Sequence, residues 1–108
     1  MTAPLIIDAL VAAVNAKDTD GFLALFAADG QVDYRGEIYK GQEAIRHWSD
    51  NELIGAGAKL GPRRTSSGPS FAAMTVAVEG PAYRETEVFT IQLHDELITE
   101  MAVIETQA

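Results

Sequence analysis

The chain has 108 residues, 47% hydrophobic and 22% charged, with a formal net charge of -8 and no cysteine. That length predicts a single domain over residues 1–108 with one core and no separate cofactor domain. The acidic balance repels nucleic-acid backbones and anionic lipid surfaces and so disfavours both as partners, leaving an uncharged or cationic small molecule, and the lack of cysteine removes disulfide and thiolate chemistry.

Asp8 breaks the first apolar run and no basic residue precedes it, so neither a signal peptide nor a membrane span is predicted, and a cytoplasmic protein is expected. Leu5, Ile6, Ala9, Leu10, Ala13 and Val14 recur at three-to-four-residue spacing, with Pro4 where an early-helix proline is tolerated, and predict an amphipathic helix. After Asn15, Asp18 or Thr19 can cap a second helix with Phe22, Leu25 and Phe26 on one face, which Asp29-Gly30 then stops. "QVDYRGEIYKG" is too broken by glycine for a helix and alternates apolar with polar, predicting a short strand pair around Gly36.

A third helix is expected from near Gly41 to about Leu53, with Ala44, Ile45 and Trp48 inward and Glu43, Arg46 and Asp50 outward. The Gly/Pro/Ser-rich stretch from Gly55 to Ser70 reads as a loop region whose mobility would suit a lid. Residues 58–65 within it allow a further strand, which Pro62 confines to an edge or a bulge. "FAAMTVAV", "ETEVFTIQL" and, after a tight turn at His94-Asp95, "ELITEMAVI" predict an antiparallel meander. Helices first and strands last make an α+β domain: a cystatin-like cone of three N-terminal helices packed on a curved antiparallel sheet, enclosing a conical cavity.

"VAAVNAKDTDGFLALFAADGQV" (11–32), "YKGQEAIRHW" (39–48) and "ETEVFTIQLHDELITEMAVIE" (85–105) together resemble the nuclear transport factor 2-like superfamily, in particular its SnoaL-like polyketide cyclase and ketosteroid isomerase branch. The resemblance covers about half the chain. It implies the fold and not an activity, because members include isomerases, cyclases, dehydratases, epoxide hydrolases and plain binding domains. It further implies that the ketosteroid isomerase base is an aspartate at the position of Tyr34, its phenol donor a tyrosine at that of Leu10, and its protonated acid at that of Glu87. This chain keeps a carboxyl at one of the three.

Strand periodicity places Tyr34 on the face of Val32, with Asp33 and Arg35 on the other face and Asp33 in water. In "ETEVFTIQL" the apolar set Phe89, Ile91 and Leu93 puts Glu87, then Glu85, in phase with the inner face. Tyr34 and Glu87 are therefore the candidate catalytic pair: a carboxyl whose pKa burial would raise, and a phenol able to donate to a developing enolate oxygen. Packing or rim positions are the alternative for both.

Trp48, Met74, Val76, Phe89 and Met101 are candidate lining for a hydrophobic pocket that takes a small apolar molecule, with core packing as the alternative. No metal or cofactor is expected: His47 and His94 lack a metal-ligand spacing, and the glycines at 55, 57, 61 and 68 do not form a phosphate loop. The phase of His47 on its helix is left open. The expected function is a small-molecule-binding SnoaL-like protein, an isomerase or cyclase moving a proton on an apolar carbonyl compound, or else a non-catalytic binding or dimerisation module. A homodimer is expected through the outer sheet face around Val88, Thr90 and Gln92.

Overall fold

A computed structural model describes residues 3–81 and 83–105. The elements are α1 (Ala3–Asn15), α2 (Thr19–Leu23), β1 (Phe26–Tyr34), β2 (Glu37–Lys40), α3 (Gln42–Glu52), β3 (Lys59–Gly68), β4 (Phe71–Gly80), β5 (Tyr83–His94) and β6 (Leu97–Glu105). The six strands form one curved, unclosed sheet in the order β2-β1-β6-β5-β4-β3. Every neighbouring pair is antiparallel except β1 with β6, which is parallel. The helices cover its concave face and give the α+β cone.

α1 buries Ile6, Ile7, Leu10, Ala13 and Val14. Leu5, expected inward, is exposed, and Ile7 stands on the buried face in its stead. At the end of α1, Asn15 clamps the backbone of β3: its Nδ2 donates to Leu60 O at 3.0 Å and Leu60 N donates to its Oδ1 at 2.7 Å. An amide side chain thus serves as a short strand partner for an edge that would otherwise be open. Asp18 caps α2 by accepting from Gly21 N at 3.0 Å.

Two boundaries differ from the sequence expectation. The second helix stops at Leu23 rather than at Asp29-Gly30, and Phe26 opens β1, where it pairs with Ile98 of β6. The Gly55–Ser70 stretch is not a loop lid over most of its length, because β3 pairs with β4 from Lys59 to Gly68. β3 is a sheet edge and its register shifts between Pro62 and Arg64, as a residue without an amide hydrogen requires. α3 spans nearly the expected residues, with Gly41 at its N-cap and with Ile45, Trp48 and Ser49 buried.

The inner face of the sheet is a ladder of rows. Val32, Met101, Ile91 and Ala72 make one; Tyr34, Val103, Phe89 and Met74 the next; Glu105, Glu87 and Val76 the third. Apart from Tyr34, the first two rows pack under α1 and α3 as core. The third runs from Val76, still core, to the acidic Glu87 and Glu105 at the open end of the cone.

Candidate functional site

The inner-row register brings Tyr34 and Glu87 to one cavity of about 380 Å³, between the β1–β2 turn, the end of α3 and the start of β5. Its walls are Tyr34, Arg35, Asn51, Glu52, Ala56, Val78, Tyr83, Glu85 and Glu87. Glu87 is 4% exposed, one of two buried polar side chains among the described residues.

Arg35 reaches this cavity because of its backbone. Arg35 and Gly36 have φ of 54° and 94°, the pattern of a two-residue hairpin turn whose twist suits the flanking strands. Strict alternation would send Arg35 outward beside Asp33; the left-handed turn ends the alternation at Tyr34 and swings the guanidinium inward. Its Nη2 donates to Glu85 Oε2 at 2.7 Å and to Glu87 Oε2 at 2.8 Å, and its Nη1 lies 3.1 Å from Glu105 Oε2. Its Cζ stands 5.0 Å from the centre of the Tyr34 ring. Asp33 stays on the other face, where its Oδ1 accepts from Gly36 N and holds the turn.

The electrostatics follow from these contacts. Burial pushes the Glu87 carboxyl above its ordinary value, the hydrogen bond and charge of Arg35 oppose this, and Glu85 and Glu105 add to the rise. The hydrogen bond to Glu87 is the largest cause holding the Arg35 guanidinium protonated even more firmly than usual. Burial also raises the Tyr34 phenol, against Arg35 and with Glu87, Glu52 and Glu85, so Tyr34 is a proton donor at neutral pH. Tyr83 is raised in the same way, by burial and then by Glu85, Glu87 and Glu52. Its ring lies over Gly80, where any added Cβ would collide with it.

Trp48, Met74, Val76, Phe89 and Met101, expected to line the cavity, do not: each is at most 1% exposed and packs within the hydrophobic core. The helices descend far enough into the cone for these inward side chains to interdigitate with them, so apolar atoms fill its depth and the cavity is left with the polar rim. Trp48 forms the floor beneath the site, its ring centre 5.5 Å from that of Tyr34 and 6.4 Å from that of Tyr39.

No protein-family model matches the chain, and no curated protein does. Solved structures do match it. A nuclear transport factor 2-like protein of Cytophaga hutchinsonii superposes with a TM-score of 0.84 at 10% identity, over 98% of this chain and 91% of that one. RV0760c of Mycobacterium tuberculosis, in complex with estradiol-17β-hemisuccinate, is 26% identical over 95% of this chain and 93% of that one, with a TM-score of 0.82. SalBIII, an epoxide hydrolase/cyclase-like enzyme with a role in pyran ring formation in the polyether salinomycin, is 21% identical over 97% and 91%, with a TM-score of 0.86. The chain has the fold of the nuclear transport factor 2-like proteins.

In this chain Leu10 is fully buried core, so α1 supplies no phenol to the site. Neither histidine lines the cavity. His47 is exposed on α3, where its carbonyl accepts from Asn51 Nδ2 at 2.8 Å, and His94 is exposed beside Asp95 in the β5–β6 turn. Among the described residues no three His, Cys, Asp or Glu side chains converge to hold a metal ion, and no helix is long and apolar enough to cross a membrane. Arg35, Asn51, Glu52, Tyr83 and Glu85 join the site without having been singled out for it from the sequence. A signal was available for Glu85, two residues before Glu87 on the same strand face; the others depend on which turns and helix ends meet at the mouth of the cone.

Proposed function

We propose that this protein binds a small carbonyl compound with an apolar frame in the Tyr34/Glu87 cavity and moves a proton on it without a cofactor, as an isomerase or cyclase of the SnoaL-like kind. The observation carrying this is a carboxyl almost wholly withdrawn from water, held by a guanidinium, in a cavity shared with a protonated phenol. Burial makes Glu87 a stronger base than an exposed carboxylate, and the hydrogen bond and charge of Arg35 favour its ionised form against that rise. Glu87 then takes the proton from the carbon next to the carbonyl, the C–H pair becomes the C=C bond of the enolate as the carbonyl π pair moves to the oxygen, and the Tyr34 hydroxyl donates a hydrogen bond to that oxygen. Returning the proton at the same or another carbon gives exchange or isomerisation. The steroid-derived ligand of RV0760c and the ring-forming role of SalBIII support such a use of the fold.

The test needs no known substrate. Small cyclic and aryl ketones in heavy water are expected to exchange their α-protons for deuterium faster with the protein than in buffer, and Tyr34→Phe is expected to lower that rate about a hundredfold, the usual effect of losing one oxyanion donor. Exchange at the buffer rate for ketones that bind would favour the second reading, a binding module without chemistry, which the filled depth of the cone supports.

The same proposal includes a homodimer through the outer sheet face. Ala73, Thr75, Val88, Thr90 and Ala102 form a half-buried uncharged centre there, beside Ile104 at 55% and Phe71 at 39% exposure. For a chain of net charge -8 an uncharged face is where a second copy can approach with least repulsion. Light scattering over a wide concentration range is expected to give twice the chain mass, with Ile104→Lys shifting it to the monomer; a strict monomer throughout would reject the dimer.

A further inference from the structure

The charges around the cavity do not balance. Its walls hold three carboxylates, Glu52, Glu85 and Glu87, against one guanidinium, which Glu105 also touches. Arg35 is committed to Glu85, Glu87 and Glu105 at 2.7, 2.8 and 3.1 Å. Glu52 stands outside that clamp. It ends α3, where the helix's unpaired carbonyls add negative potential, and it acts on the phenols of Tyr34, Tyr39 and Tyr83.

The rings that wall the cavity add to this. Aromatic faces attract a cation within about 6 Å of the ring centre, and Tyr34 already shows the arrangement with the guanidinium carbon of Arg35 at 5.0 Å. Tyr83 offers a second ring to the same space. Three carboxylates, one guanidinium and two ring systems thus surround a void of about 380 Å³, a lining whose excess charge is negative.

We propose that the ligand of this cavity is an organic cation: a small carbonyl compound whose apolar frame carries an ammonium group seated between Glu52 and the ring of Tyr83. It rests on the assignment of the cavity as the binding site made above, and narrows the substrate class of that site. The cavity rather than the acidic residues alone selects the ligand, because the Tyr83 ring fixes where the charge sits and Val78 and Ala56 receive the frame.

Three acetophenones of matched shape test it: para-trimethylammonio-acetophenone, para-tert-butylacetophenone and para-acetylbenzoate. Trp48, the single tryptophan, lies under Tyr34 and reports binding by fluorescence, with amide chemical shifts around Tyr34 and Tyr83 as the second readout. The cation is expected to bind about tenfold more tightly than its neutral isostere, the scale of a partly desolvated cation–π contact. The benzoate is expected to bind most weakly, and Glu52→Gln and added salt to close most of the gap. Equal or tighter binding of the neutral ketone, or a gap that Glu52→Gln leaves untouched, overturns the cation assignment while leaving the site itself in place. Shifts from none of the three at Tyr34 or Tyr83 overturn both.

Discussion

Glu87→Gln is expected to lower α-proton exchange by about a hundredfold or more, the range for losing a positioned general base, and to leave the protein at least as stable as before at neutral pH. The two effects have one cause. Burial is the largest influence on Glu87 and holds its folded pKa above the ordinary 4.5, although Arg35 pulls the other way. A raised pKa means that the fold favours the protonated acid. The stability this carboxyl contributes is therefore fully present below its ordinary value and is lost as pH rises through the folded value. Glutamine mimics the neutral form at every pH. The melting temperatures of wild type and variant should then coincide in strong acid and diverge as pH rises from about 4.5, with the variant the more stable.

Arg35 does not become an orphan in that variant, since Glu85 and Glu105 still hold it. A catalytic group kept at the expense of stability is the usual trade at active sites. Unchanged exchange in Glu87→Gln would remove the residue from the mechanism. A lower melting point at neutral pH would mean that the Arg35 pair stabilises the carboxylate by more than burial opposes it, which would contradict the direction of its shift.

The inward turn of Glu87 was legible because Phe89 and Ile91 fix the phase of β5, and period-two counting needs nothing but the sequence. The same counting failed one residue beyond Tyr34, since alternation holds only while φ stays in the extended region and Arg35 leaves it. Asp29-Gly30 has the composition of a helix stop, but Gly30 sits within β1, where a Cβ would approach the Ile98 carbonyl to 2.8 Å. That contact is tertiary and leaves no local trace. Phase also cannot separate a core residue from a cavity residue, because both point inward. Met74 and Phe89 became core and Glu87 a cavity wall through their distance from the open end of the cone, which the packing of α1 and α3 decides.

Trp48 is where core and site meet, and Trp48→Ala is expected to be the most destabilising single change considered, at about 3–5 kcal/mol for a buried tryptophan truncated to a methyl. For a domain of this size that corresponds to a fall in melting temperature on the order of 20 °C, read by circular dichroism because the variant has no tryptophan left. The indole packs against Phe22, Tyr34 and Tyr39, so its loss opens a void beneath the phenol that would donate to the ligand oxygen. Trp48→Phe separates packing from polarity. The indole Nε1 is buried with no hydrogen-bond partner among the described residues, so a phenyl ring gives up volume without giving up a hydrogen bond. Its melting temperature should fall by less than half as much. If Trp48→Phe is as damaging as Trp48→Ala, the indole nitrogen has a partner in solution and the floor of the site is polar. If the phenylalanine variant keeps its fold but loses ketone exchange, the indole holds Tyr34 in place, and the depth of the core sets the geometry of the chemistry above it.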